Sequence, residues 1–276
     1  MIDGSAQSPE VLAEDLLHKA REFGADLAGF AGVRDLVRGP SETLFPMIDD
    51  HTRDHFARQI TTGLPHGAVR WWEEERTVLV FAVRHPEAKP EMDWWYGEIN
   101  PPGNKLLAEI SKKLEAYIEE NYPNVKVFLK PYHVEKGGIY LKDAAVIAGL
   151  GCIGKNNLLI TPEYGPRVRL RAIGLSVSIP SGGPIAFDPC VSCAAPCIAR
   201  CPQRAFSEIV YTPEETGLHL LPGRNGSYRR KSCVQEMEAN ETSAPLELAP
   251  AYSPEPIPII RYCRSCEFNC VIGRGE

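Results

Sequence analysis

The chain has 276 residues, 43% of them hydrophobic and 24% charged, with a net charge of −6. That is length enough for one large domain or two ordinary ones, and a composition that excludes both a disordered chain and a membrane protein. The acidic balance opposes non-specific attraction to nucleic acid.

In chain order, Ser8-Pro9 reads as an N-cap followed by proline in the first turn, and Leu12, Leu16, Ala20 and Phe23 continue at helical spacing until Gly24. Asp26 to Ala31 and Thr77 to Val83 read as strands, the second a continuous apolar run of the kind buried on both faces, with a less regular helical stretch between them. After Pro101-Pro102-Gly103, the residues Leu106, Leu107, Ile110, Leu114, Tyr117 and Ile118 share one helical face. Val125 to Leu129 reads as a strand, Leu141 to Ala148 as a short helix and Val168 to Ile179 as a long strand, so an α/β domain is expected up to about residue 180. The breaker cluster Ser181-Gly182-Gly183-Pro184 marks a boundary, dividing the chain into 1–183 and 184–276. Beyond it periodicity is weak, and order is expected to come from bound metal. Trp71-Trp72 and Trp94-Trp95-Tyr96 read as core or interface aromatics, with the wall of a pocket as the alternative.

No apolar run is long enough to span a bilayer as a helix, and Met1 to Glu10 lacks the basic start and apolar core of a secretory signal. A cytoplasmic location is expected, where thiols stay reduced and a dense cysteine pattern reads as metal or redox chemistry. Of nine cysteines, all but Cys152 follow the boundary. Cys190, Cys193, Cys197 and Cys201-Pro202 have two, three and three residues between them, one residue more than the bacterial ferredoxin run. Cys263, Cys266 and Cys270 form a second run, and Cys233 stands alone between the two. A cubane needs four thiolates from different directions, and paired runs exchange ligands. The pattern therefore predicts two 4Fe-4S clusters, one on Cys190, Cys193, Cys197 and Cys270, the other on Cys201, Cys233, Cys263 and Cys266. Two four-cysteine zinc sites are the weaker alternative. The seven histidines show no metal-binding spacing.

The segment Ala148-Gly-Leu-Gly-Cys-Ile-Gly-Lys-Asn-Asn-Leu-Leu-Ile160-Thr-Pro-Glu-Tyr-Gly165 resembles the one preceding the clusters in epoxyqueuosine reductases and, more distantly, reductive dehalogenases. The resemblance extends to Gly24-Ala25-Asp26-Leu27, the strand at Thr77 and the cysteine runs. It implies an α+β protein: a nitroreductase-like domain holding cobalamin, then a two-cluster ferredoxin-like domain passing single electrons to cobalt. It also implies that Gly149, Gly151 and Gly154 let backbone approach a corrinoid, and that Lys155, Asn156 and Asn157 offer it donors. Cys152 is either a small packing residue or one that faces the corrin.

In those reductases an aspartate upstream of the Ala-Gly-Leu/Ile-Gly element acts as general acid, and the corresponding position here is Glu135. Tyr132, His133 and Tyr140 are neighbouring alternatives, each also readable as a packing or surface residue. The resemblance implies an oxidoreductase fed by an external donor such as ferredoxin or flavodoxin; a non-catalytic electron-transfer or corrinoid-reducing protein is the alternative. Glu in place of Asp, the acidic charge, Val271 where relatives carry proline, and the absence of a helical-repeat tail after Cys270 disfavour a tRNA substrate. They favour a small organic molecule or a corrinoid partner, and no membrane.

Overall fold

The computed structural model describes residues 8–37, 39–47 and 62–274. Helix α1 spans Pro9–Glu22 with Ser8 as its N-cap, and strand β1 Leu27–Gly32 follows. Short helices α2 Val33–Leu36 and α3 Pro40–Leu44 come next; of the rest of the stretch expected to be helical before Thr77, residues 48–61 lie outside the described residues and 62–76 form turns and irregular chain, not helix. Then come β2 Thr77–Arg84, β3 Trp95–Tyr96, helix α4 Pro102–Asn121, β4 Val127–Leu129 and helix α5 Leu141–Ile147. The hairpin β5 Cys152–Ile153 with β6 Leu159–Ile160 and the strand β7 Val168–Leu175 complete this part.

Strands run in the order β1-β2-β7-β4. Every neighbour is antiparallel. The expected alternation of helices and strands is therefore present without the parallel pairing of an α/β sheet; the class is mixed helix and sheet. Period-two alternation along β2 explains why helices cover both faces. Leu79, Phe81 and Val83 join Leu12, Leu16 and Ala20 of α1 and Leu107, Ile110, Leu114 and Ile118 of α4 in one core. Val78 and Val80 face the other way, onto Ala144, Ala145 and Ala148. The last strand stops at Leu175, short of the expected Ile179, whose N–H instead bonds the Thr77 Oγ1 at 2.9 Å.

Past the cis Gly183-Pro184 bond lie short helices α6 Pro196–Ala199 and α7 Pro213–Thr216, helix α8 Arg230–Thr242, strands β8 Leu246–Ala249 and β9 Ser253–Ile260, and the short helix α9 Ser265–Phe268. Helix α8 buries no residue, so it carries no apolar stripe for periodicity to reveal. Strand β9 is masked by Pro254, Pro256 and Pro258. Pro258 faces the β3 edge, where its carbonyl accepts the Gly97 N–H at 2.8 Å, while Ile259 donates on the other side to Pro245 O at 3.0 Å.

Strand β3 pairs with β9, Trp95 opposite Ile260. Around this seam Arg261 lies over the Trp94 ring at 4.3 Å and Tyr96 stacks on Tyr252 at 3.9 Å. The Trp94-Trp95-Tyr96 aromatics thus pack along the seam between β3 and β9, as the interface reading expects. Among the described residues no helix is long and apolar enough to cross a membrane.

Candidate metal and corrinoid site

All nine cysteines are free thiols. Cys190, Cys193, Cys197 and Cys270 line one cavity together with Lys155, Asn156, Ile160 and Val271. Cys190 and Cys270 pack directly on Ile160 of β6. Burial, and then Cys270, Cys190 and Cys193, push the Cys197 thiol up to about 11. Burial, and then Cys233 and Cys263, push Cys266 up to about 12. Cys197 also contributes to the rise at Cys266, so the thiols of the two expected groups lie near enough to influence one another. Crowded thiols of this kind ionise together only when cations share their site.

Local structure explains how each cysteine arrives. Helix α8 carries Cys233 and, two turns on along the same face, Asn240, whose Oδ1 accepts the Cys263 N–H at 2.8 Å. Helix α6 brings Cys197 and packs against α9, which brings Cys266. Ala195 and Arg204 adopt left-handed backbone at φ 56° and 48°. Those turns aim amides at sulfur: Ala195 N–H at Cys193 Sγ, 3.4 Å, and Ala205 N–H at Cys201 Sγ, 3.3 Å. Such N–H···S bonds stabilise electron-rich sulfur. Among the described residues no three His, Cys, Asp or Glu side chains are arranged around a single metal ion.

The glycine-rich turn braces both groups. Lys155 Nζ donates to Cys193 O at 2.9 Å, and Asn156 Nδ2 to Cys266 O at 3.4 Å. Asn157 sits at φ 59°, and its carbonyl accepts from Lys142 Nζ at 2.7 Å. The donors of Lys155 and Asn156, expected to point at a corrinoid, are engaged by the cysteine loops.

The glycines are likewise explained by the chain's own packing. A Cβ on Gly151 would stand 2.1 Å from Ile160 O, one on Gly154 2.7 Å from Ile160 Cγ1, and one on Gly149 2.8 Å from Gly182 O. Gly151→Ala should therefore lower stability by about 1–3 kcal/mol. Thermal unfolding without added cobalamin checks this; an unchanged midpoint would return Gly151 to a purely ligand-facing role.

Arg167, 4% exposed, holds the last run from the front of the chain: its guanidinium donates to Glu267 O at 3.2 Å, Cys270 O at 3.4 Å and Ile272 O. Arg264, between Cys263 and Cys266, is locked by Asp93 at 2.6 Å and by Glu267, and donates to His85 O at 2.9 Å. Arg167, Arg264 and Asn240 escape sequence reasoning because an isolated arginine or asparagine carries no periodic signal.

Glu135 is 5% exposed, in a 3₁₀ turn Val134–Lys136 anchored by buried Val134. His66 Nδ1 lies 3.8 Å from Glu135 Oε1, and the His66 ring leans on Phe45 at 4.8 Å. Tyr140 donates to Gly67 O at 2.7 Å. Burial, followed by Glu135, Glu42 and Asp143, holds its phenol well above the ordinary range, so it stays protonated. Glu135 and Tyr140 are thus brought together, joined by His66, whose single position gave no motif. Tyr132 is 53% exposed, its ring edge-on to His133 at 5.1 Å. Nearby, His66 Nδ1 and Trp71 Nε1 are buried without a hydrogen-bond partner among the described residues. Cys152 packs beside Cys190 and Cys270, and Arg224 Nη2 donates to its sulfur at 3.5 Å.

No family model matches the chain. An epoxyqueuosine reductase of Bacillus anthracis is 37% identical over 101 residues, which is 37% of this chain and 25% of that protein. Its relatives include epoxyqueuosine reductases and reductive dehalogenases. An epoxyqueuosine reductase solved with an epoxyqueuosine-modified tRNA stem loop superposes over 97% of this chain and 67% of its own, at 17% identity and TM-score 0.64. A reductive dehalogenase whose structure concerns B12-dependent dehalogenation superposes over 98% of this chain and 34% of its own, at 15% identity and TM-score 0.61. These two share the fold. The chain spans about a quarter of the length of the Bacillus relative.

Proposed function

We propose that the chain is a cobalamin-dependent iron-sulfur reductase, with residues 1–183 holding the corrinoid and 184–276 holding two 4Fe-4S clusters. The observation that carries this reading is the convergence of Cys190, Cys193, Cys197 and Cys270 on one cavity beside the Gly151–Asn157 turn; the spacing assigns Cys201, Cys233, Cys263 and Cys266 to the second cluster. The donor set fits iron-sulfur clusters: thiolates alone, on tight turns, with amides aimed at sulfur. The corrinoid has a fit of its own. Buried Trp71 Nε1 lacks a hydrogen-bond partner among the described residues, and a ligand edged with amides would satisfy it.

When bound, the clusters would supply single electrons and the corrinoid the low-valent metal chemistry. The chain's own residues bind, shield and move protons. Glu135, buried beside His66, is the first candidate to hand a proton to the substrate, and Tyr140, kept protonated, is the second. Lys155 and Asn156 act as struts that hold the cysteine loops against the corrinoid side, while a ferredoxin or flavodoxin supplies electrons from outside.

The net charge of −6 favours a small organic substrate over an RNA. The tRNA stem loop of the solved neighbour is the comparison to run beside it. Anaerobically prepared protein given cobalamin should show a shifted corrin spectrum; intact clusters with no shift would leave a cluster protein without corrinoid and overturn the reading. Glu135→Gln should slow substrate reduction by about 10²–10⁴-fold with cluster content and corrin spectrum unchanged. Undiminished turnover would remove Glu135 as the acid.

A further inference from the structure

Arg224 belongs to neither cysteine run, yet it is built into the wall of the first group. Its backbone is left-handed at φ 72°, rare for a residue with a side chain. Its Nε donates to Ile153 O at 2.7 Å, and its Nη1 meets both carboxylate oxygens of Asp188, at 2.6 and 2.7 Å. The remaining arm, Nη2, points at Cys152 Sγ, 3.5 Å away, and Cys152 packs on Cys190 and Cys270. Asp188 Oδ1 in turn accepts the Cys190 N–H at 3.1 Å. The arginine side chain is 18% exposed, the aspartate 43%. The guanidinium is thus the more buried partner and reaches Cys152 beside the first group of thiols, while the carboxylate is more exposed and holds the Cys190 N–H.

We propose that Arg224 and Asp188 are positioning residues that set the reduction potential of the cluster held by Cys190, Cys193, Cys197 and Cys270. The inference rests on the cluster reading above. Taking up one electron makes a thiolate-bound cluster more negative. A nearby guanidinium that never loses its charge stabilises that reduced form and so raises the potential. Burial strengthens the effect, because little solvent screens the guanidinium. Cys152 lies between Arg224 and Cys190 and keeps water out of the gap across which the charge acts, without being one of the cluster's ligands.

The two members of the pair act with opposite sign, which separates electrostatic tuning from simple damage. Arg224→Gln leaves the Asp188 carboxylate uncompensated and should lower one of the two reduction steps. Asp188→Asn leaves the guanidinium unopposed and should raise the same step. Arg224→Lys keeps the charge and should restore most of the wild-type value. The readout is an anaerobic redox titration followed by electron paramagnetic resonance, with iron and sulfide measured on each variant.

Opposite shifts of one step, with the other step unmoved, are the expected result. Shifts of the same sign, or none in variants that keep both clusters, would overturn the proposal. If Arg224→Gln fails to hold iron, Asp188→Asn alone decides by the direction of its shift. Wild-type protein that binds no iron and sulfide would instead defeat the cluster reading itself.

Discussion

Cys270→Ser is expected to cost the protein one cluster and leave the other. Cys270 comes from the last run, yet it packs with Cys190 against Ile160 and lines the cavity of Cys193 and Cys197. Arg167 anchors it there through the carbonyls of Cys270 and Ile272. A serine hydroxyl is a harder and far weaker ligand for iron-sulfur iron than a thiolate. Iron should fall from about eight to about four per chain, given four irons per cubane, and one of two paramagnetic signals should vanish. Cys233→Ser should remove the other signal. The crossing of ligands between runs is what the pair of variants tests: were each run to complete its own cluster, Cys201→Ser would remove the signal that Cys270→Ser is expected to remove.

Asp93→Asn is expected to destabilise the fold by about 3–5 kcal/mol at neutral pH, the usual cost of breaking one member out of a buried charge network. Asp93 is 6% exposed. It holds His85, Arg169 and, at 2.6 Å, Arg264 between the ligands of the last run. An amide there would keep one acceptor oxygen but remove the negative charge that Arg169, Arg264 and His85 share, and would loosen the seam that β3 and β9 make.

The pH dependence has a defined sign. Burial alone would raise the Asp93 pKa, but the His85 hydrogen bond and the charges of Arg169 and Arg264 outweigh it and hold the group at about 2 against an ordinary 3.8. A carboxyl depressed in the folded state stabilises above its unfolded pKa and loses that contribution as pH falls through the folded one. About 2–3 kcal/mol should therefore fade between about pH 4 and pH 2 in the wild type and be missing from the acid limb of Asp93→Asn. Denaturant midpoints measured across that range check it.

The readable parts of the fold are those with one buried face. Ser8, Leu12, Leu16 and Ala20 mark α1, and the unbroken Thr77–Val83 run marks the central strand, because burial imposes the period. The antiparallel sense of the sheet is not carried by any such period, since a strand buried on both faces reads alike in either direction. Helix α8 and the proline-rich β9 are silent for a related reason: the first buries nothing, and the second keeps its pairing by the placement of its prolines.

That Cys190, Cys193, Cys197 and Cys270 line one cavity could be expected from the sequence, because ligand chemistry forces both residue type and spacing. The supports around them could not. Lys155 and Asn156 bond the carbonyls of Cys193 and Cys266, contacts that no sequence motif signals; Arg167, Arg224 and His66 act from a distance in sequence that only folding closes.

Metal and sulfide analysis of anaerobically purified protein tests the central claim most directly. Two four-cysteine clusters predict about eight iron and eight acid-labile sulfide per chain, with two reducible paramagnetic centres. Zinc in place of iron, without sulfide, would contradict it and turn the same eight thiols into structural metal sites.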